Sequence, residues 1–499
     1  MTRDITRLSK GQYDVLVVGG GINGAAAAHM AALNGLKVAL IEKNDFASGT
    51  SSKSTKLIHG GLRYLENFEF DLVYESLHER ALLLKSAPHL VKPLKFIIPV
   101  YKKDARPFWV MRLGVWLYDR LSGRKHIGQH RRISIHDVVK AIPQINRDGL
   151  LGGLIYYDAQ MNDARLCLEN VLSAQERGAH VANYVEARSF IYENGKAVGV
   201  LVQDVLTKKV FEMRAKKVMC TLGPWTNRLR SQESGQMPNK IRTTKGVHLV
   251  YAETFSQEAI FLTTQKDRRI FFVIPWQGHS LIGTTDTDYQ GNPDRVNIEE
   301  EDTQYLLSHL RRFFPQTEFS EEKIITTFAG LRPLVYSEGN PSSVSRKDLI
   351  EESYSGVIYV MGGKYTTFRR IAEAAIRKIS KREPVSTKEY FPVYGSGQII
   401  ETSSAIAAKH NLDAALVQHL IDFYGIRYTD VMTLIDKNPT LKEPLCSCSP
   451  AVKAQVIYAI QNELAMRAED IIERRLGLQW TGCKTQHCRR EIQKILDSR

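Results

Sequence analysis

The sequence predicts an α/β (α+β) protein, and three stretches carry that prediction. The first is "VLVVGGGINGAAAAHMAALNGLKVALIE", residues 15–42, in which an apolar run, a glycine-rich turn, an alanine-rich helical segment and a second apolar run follow one another. The second is strand-rich sequence from Arg242 to Asp286, which predicts a mixed sheet. The third is the helical pattern "PAVKAQVIYAIQNELAMRAEDIIERRLG" near the C-terminus.

Within the first stretch, Asp14 to Val18 reads as a strand and Ile22 to Asn34 as a helix with Gly35 as its stop. Gly19 permits a tight turn, Gly21 lets backbone amides approach a pyrophosphate at the helix N-terminus, and Gly24 allows close helix–strand packing. Glu42 closes the second strand where a ribose hydroxyl binds, and its carboxylate would repel a 2′-phosphate. NADP is therefore disfavoured, while NAD and FAD both remain.

Next comes "KNDFASGTSSKSTKLIHGGLRYLE". Thr50, Ser51 and Ser52 offer hydroxyls to phosphates, and Gly60 and Gly61 let backbone pass close to a flat ring. A nicotinamide dehydrogenase has no need of such a second loop, whereas an FAD enzyme must hold its isoalloxazine far from the adenine. A helix is expected over 69–86 and a very apolar one over 107–121, "PFWVMRLGVWLYDRL". Pro107 fits a first helical turn, Trp109 and Trp116 are seven apart, and cations flank both ends, so the segment suits a helix lying on an anionic lipid surface. The rival reading is a buried core helix.

A further helix starts at Asn162 or Asp163 and stops at Gly178, and "KKVMCTLGPWTNRL" is a strand running into Gly223 and Pro224. "VIYVMGGKYTTFRRIAEAAIRKI" repeats the opening logic, with Gly362–Gly363 after a strand and a helix started by Thr366 or Thr367. Its positive end, with Lys364 beside it, is another place for negative charge. "SKREPVSTKEYFPVYGSGQ" is a turn-rich link to the helical C-terminal region.

Composition narrows the function classes. At 499 residues the chain exceeds one ordinary core, so about two or three domains are expected. With 43% apolar and 24% charged residues it is globular. No apolar run approaches the roughly 20 residues that cross a bilayer, and "MTRDITRLSKGQ" lacks the apolar core of a secretory signal. The six cysteines read as ordinary thiols in a reducing compartment. Cys446 and Cys448 form C-x-C and Cys483 and Cys488 flank "KTQH", spacings that miss C-x₂-C, so no metal is expected. The net charge of +14 calls for an anionic partner, and a lipid surface and an anionic substrate both qualify. Nucleic acid does not, because the cations are dispersed along the chain rather than clustered with stacking aromatics.

"TSSKSTKLIHGGLRYLE", "NDARL", "GPWTN", "KGVHLV", "FVIPW", "IGTTDTDY", "GLRPL" and "GGKYTTFRRIAE" succeed one another along nearly the whole chain. In them the sequence closely resembles the FAD-dependent glycerol-3-phosphate dehydrogenase family. The resemblance implies a Rossmann-like FAD-binding domain of the D-amino-acid-oxidase type (1–75, 150–228 and 330–382), a mixed-sheet substrate domain (76–149 and 229–329) and a helical C-terminal cap (383–499). It also implies noncovalent FAD, oxidation of sn-glycerol 3-phosphate to dihydroxyacetone phosphate, electron transfer to a membrane quinone, and a peripheral site on the cytoplasmic face of the cell membrane, with a homodimer possible. The chain has no D-x-D-x-D-G loop, so calcium control is not expected. Two alternatives share the scaffold, an H₂O₂-producing glycerol-phosphate oxidase and an FAD-dependent amine or amino-acid oxidase.

A phosphate dianion needs fixed cations, each charge-assisted bond contributing roughly 1.5–3 kcal/mol. Arg63 in "GGLRYLE" and Arg332 in "GLRPL" are the expected contacts, joined by Arg346 in "SRKD" and by Lys364. His248 in "KGVHLV", with an ordinary pKa near 6.5, is the candidate base, its rival reading being a hydrogen-bonded structural histidine. Arg332 alternatively polarises the alkoxide, and Tyr64 and Thr285 are candidates to orient the hydroxyl. Gly223, Gly363, Lys364, Thr366 and Thr367 complete the expected flavin contacts, and His59 is not expected to bond the flavin covalently.

Overall fold

Strands Gln12–Val18, Val38–Ile41, His180–Ala182, Val210–Cys220 and Ile358–Gly362 form the parallel part of one sheet, in the order Ile358–Gly362, Val210–Cys220, Gln12–Val18, Val38–Ile41, His180–Ala182. The computed structural model from which this is read describes residues 3–234, 239–264, 269–336, 347–380, 383–385, 387–482 and 486–498. Strands buried on both faces read as continuous apolar runs, which is why "VLVV" and "VALI" do not alternate. Helix Ile22–Leu33 packs against both Asp163–Glu176 and Phe368–Ile379, and the three share one core with this sheet. Ala25 to Ala28 bring Ile22–Leu33 close to its neighbours, and the Asn162 side chain caps the second helix by accepting Arg165 N–H at 3.2 Å.

The second sheet has ten strands among the described residues. Ile241–Tyr251 lies between Ile324–Val335 and His279–Gly283, while Val91–Tyr101 pairs antiparallel with Leu150–Met161 and parallel with Ala259–Thr263. Expected boundaries put 150–161 with the nucleotide unit and broke the substrate unit at 329. Leu150–Met161 instead pairs throughout with Val91–Tyr101, stacking Tyr156 on Phe96 at 4.8 Å, and Ile324–Val335 runs unbroken across position 330. A strand's apolar pattern names its buried face but not the sheet that covers it.

The C-terminal region carries helices Ser403–His410, Ala414–Tyr424, Tyr428–Lys437, Lys453–Asn462 and Gln486–Asp497. It docks through buried ions. Arg475 binds both oxygens of Asp45, Arg474 reaches Asp45 at 2.6 Å and Asp470 at 3.0 Å, and Arg165 meets Glu463 at 2.6 Å. Burial pushes the Asp45 carboxyl up, but the two guanidiniums outweigh it and hold the group below its ordinary range. Removing one partner would strand a buried charge at a cost of about 3–5 kcal/mol.

His29, inside helix Ile22–Leu33, hydrogen-bonds Asn170 at 3.2 Å and stacks on Phe391 at 4.3 Å. Burial pushes its pKa from 6.5 down to about 3, so below 6.5 the unfolded chain binds a proton that the folded chain refuses. Stability is therefore lost as pH falls below that value, by about 1.4 kcal/mol per pH unit from this group. A His29→Gln variant should lose measurably less melting temperature than the parent on acidification to about pH 4. Parallel losses in the two proteins would contradict this.

Candidate active site

A cavity of about 480 Å³ is bounded by residues from both sheets, from the first glycine turn and Glu42 to His248, Arg332 and Lys364. Its nucleotide end follows from strand chemistry. Gly19 has a left-handed φ of 110°, and a β-carbon on Gly24 would lie 1.9 Å from the Gly19 carbonyl oxygen. The helix start therefore presses directly on the turn. Gly21 is the N-cap of the helix and lines the cavity; apart from Ile22 N–H, which Ser51 accepts, the first-turn amides are left for a pyrophosphate. Glu42 also lines it and accepts the N–H groups of Gly20 (2.7 Å) and Asn44 (2.9 Å); burial raises its pKa. Two carboxylate oxygens retain lone pairs for ribose hydroxyls, so this end fits a dinucleotide.

The second loop divides the expected contacts. Thr50, Ser51 and Gly61 line the cavity, Ser51 Oγ accepting Ile22 N–H at 2.9 Å and Thr50 Oγ1 donating to Leu331 O at 2.6 Å. Ser52 and Gly60 do not line it. The Ser52 carbonyl accepts Lys56 Nζ at 2.7 Å, and a β-carbon on Gly60 would meet Leu77 and the Tyr118 hydroxyl at 2.6 Å. Gly60 is bare for core packing, not for a ring. Gly223 and Gly363 line the cavity in left-handed conformations. Thr366 lines it too, its hydroxyl bridging His59 N and O at 3.2 and 3.3 Å, whereas Thr367 is buried and donates to Lys364 O. The helix is Phe368–Ile379 with Thr367 at its N-cap, as expected.

The substrate end stands on the second sheet. His248 sits across from Phe328 on one side and Gly283 on the other, and its imidazole stacks on Phe328 at 4.8 Å with the planes 5° apart. Nε2 bonds Thr55 Oγ1 at 2.9 Å, while Nδ1 is buried and without a hydrogen-bond partner. Burial, Arg332 and Lys56 hold the imidazole well below 6.5, hence neutral. Arg332 passes over Gly246, where a β-carbon would meet its Nη2 at 2.4 Å, and donates to Asp286 at 3.0 Å and Thr284 Oγ1 at 2.9 Å. Arg63 lines the cavity with no hydrogen bond or ion pair to a described residue, next to Tyr64, whose ring lies 3.8 Å from Lys364 Nζ. Lys364 Nζ also donates to Ser76 at 3.0 Å.

Thr285 departs from expectation. Its hydroxyl accepts Val247 N–H at 2.9 Å and its side chain is outside the cavity lining; Thr284 and Asp286 line it instead. Arg346 lies outside the described residues. Sequence reading missed Thr55, Lys56 and Asp163. Lys56, next in the chain to Thr55, which bonds His248, forms a buried pair with Asp163 at 2.6 Å. Both charges stood inside the quoted motifs, "TSSKSTK" and "NDARL", but nothing in either motif names the other as partner.

Residues 14–369 match the family described as FAD dependent oxidoreductase, and residues 386–498 match the C-terminal domain of alpha-glycerophosphate oxidase. A glycerol-3-phosphate dehydrogenase of Synechocystis sp. is 37% identical, over 95% of this chain and 90% of its own. The chain belongs to the FAD-dependent glycerol-3-phosphate dehydrogenase family. A second member, the aerobic glycerol-3-phosphate dehydrogenase of Bacillus subtilis, is 36% identical over 95% of this chain and 89% of its own. The crystal structure of glycerol-3-phosphate dehydrogenase from Bacillus halodurans complexed with FAD is similar at a TM-score of 0.81 and 29% identity, covering 99% of this chain and 92% of that one. This member of the glycerol-3-phosphate dehydrogenase family is thus an FAD-dependent oxidoreductase, and its nucleotide end carries the residues to hold that cofactor.

Proposed function

We propose that the chain oxidises sn-glycerol 3-phosphate to dihydroxyacetone phosphate and passes the electrons to a membrane quinone. The observation that carries the reading is the neutral His248 in one cavity with Arg63, Arg332 and Lys364, continuous with the dinucleotide cradle. FAD, held by the nucleotide end, would supply a two-electron acceptor for the hydrogen leaving the carbinol carbon. Arg332 and Arg63 hold the substrate phosphate. His248, held at Nε2 by Thr55, takes the hydroxyl proton. Lys364 and the amides before Phe368–Ile379 would offset negative charge on a flavin held there. Anaerobic mixing of the yellow protein with glycerol 3-phosphate should bleach the flavin, and an unchanged spectrum would sink the substrate assignment.

A quinone acceptor suits the apolar part of the cavity wall, Leu57, Leu62, Tyr156, Phe261, Ile270 and Phe272. Tyr156, Phe261 and Leu57 belong to the same core as Val115 and Tyr118 of helix Phe108–Ser122. That helix packs Phe108, Met111, Leu117 and Leu121 against this core and presents Trp109 (67% exposed), Trp116 (45% exposed), Val110 and Leu113 outward. Phe68, Phe70 and Tyr74 are exposed on the helix and turn packed against it. No helix among the described residues is long and apolar enough to cross a membrane. The arrangement supports peripheral docking by this face, with Lys102, Lys103, Arg112 and Arg124 as exposed cations for anionic lipid. Trp109 and Trp116 changed together to Ser should move the enzyme from the membrane pellet to the supernatant with dye-linked activity intact. A double variant that stays in the pellet refutes the anchor. Because the C-terminal region matches a domain of alpha-glycerophosphate oxidase, oxygen is the rival acceptor, and oxygen uptake compared with quinone reduction decides between them.

A further inference from the structure

The C-terminal domain reaches the second sheet with one ring, which meets Phe328 behind the cavity-lining His248. After the π-helical turn Asp470–Arg475, which Asp45 anchors, Gly477 adopts a left-handed φ of 63° and the chain closes the tight turn Leu478–Trp480, with Trp480 N–H donating to Gly477 O at 3.1 Å. The indole, 5% exposed, meets Phe328 edge-on at 5.0 Å, the interplanar angle being 68°. The His248 imidazole stacks flat on the same Phe328 ring. Lys56 Nζ, held by Asp163 and Ser52 O, faces both aromatic rings, 5.0 Å from Trp480 and 5.5 Å from Phe328. Thr55, the residue before Lys56, supplies the hydrogen bond to His248 Nε2. The imidazole therefore has two supports, a hydrogen bond at its edge and an aromatic face, and Trp480 backs the second while covering the cation behind the first.

We propose that Trp480 is a positioning residue for His248, supplied by the C-terminal domain and acting through Phe328 and Lys56. The proposal rests on the reading of His248 as the base. Without the indole, Phe328 has room to tilt and Lys56 loses a cation–π partner, so both supports of the imidazole loosen. A displacement of about 1 Å at a proton acceptor costs up to about 10²-fold in rate. The indole also lies across the junction between the C-terminal domain and the second sheet, which gives that domain a part in the chemistry beyond docking.

The test uses the full-length holoenzyme and four variants: Trp480→Leu, Trp480→Phe, His248→Asn and the Trp480→Leu/His248→Asn double. FAD content, KM for glycerol 3-phosphate and the rate of anaerobic flavin bleaching are measured for each. Trp480→Leu should keep FAD and KM but slow bleaching about tenfold, and Trp480→Phe should recover most of the rate. In the His248→Asn background Trp480→Leu should add less than about twofold, because the group it positions is gone. A Trp480→Leu effect that persists in full in that background overturns the proposal, as does loss of FAD from both Trp480 variants while His248→Asn retains it. Bleaching at the parent rate in His248→Asn alone instead overturns the base reading.

Discussion

Arg332→Ala should lower kcat/KM for glycerol 3-phosphate by about 10²–10⁴, while any slow turnover of glycerol falls by less than about tenfold. Two charge-assisted bonds to a phosphate contribute roughly 3–6 kcal/mol together, and that difference enters kcat/KM directly. The substitution also leaves Asp286 without the guanidinium 3.0 Å away, placing an uncompensated carboxylate beside an anionic substrate. Gly246 is part of the same device, since the arginine crosses the sheet only because that position has no side chain. Steady-state kinetics with both substrates make the measurement. Equal losses on glycerol and glycerol 3-phosphate would assign Arg332 to the reacting hydroxyl, the other role its position allows.

Gly24→Ala should yield protein with less than about a tenth of the parent's FAD. The new β-carbon would sit 1.9 Å from the Gly19 carbonyl oxygen and 2.4 Å from Thr221 Oγ1. Neither can retreat easily. Thr221 Oγ1 donates to Gly19 O at 2.9 Å and Val18 O at 3.1 Å, tying the turn to the strand beside it. The helix must therefore slide away, carrying its N-terminal amides out of register with the pyrophosphate site. Flavin absorbance per protein, with circular dichroism as a check on folding, decides the matter. A variant that purifies with a full complement of FAD would show that the turn has more freedom than this packing allows.

The two outcomes also mark which parts of the site could be read in the chain. Gly19, Gly21, Gly24 and Glu42 act within one local unit, strand, turn, helix and strand, where spacing maps onto geometry because the backbone between them is regular. The exposed helix was similarly legible, since tryptophans seven apart must share a side of any helix. Reading became less secure where two segments meet. Thr285 and Thr284 are equally polar in "IGTTDTDY", and only the approach of the segment after His279–Gly283 to Ile241–Tyr251 brings the Thr285 hydroxyl to the Val247 amide while Thr284 lines the cavity. Gly60 and Gly61 look alike in "HGG", yet one packs on Leu77 and Tyr118 and the other lines the site.

By itself, then, the sequence determined the nucleotide cradle, the order of strands and helices and the motifs that place the chain in its family, because each is encoded in residues close together along the backbone. Tertiary structure alone decided that Leu150–Met161 pairs with Val91–Tyr101, that Lys56 is buried against Asp163, and that Trp480 backs the ring on which His248 lies. These contacts join residues far apart in the chain. Their partners are selected by which charges and aromatic faces must leave water together when the sheets and the C-terminal domain close, and no local pattern records that choice.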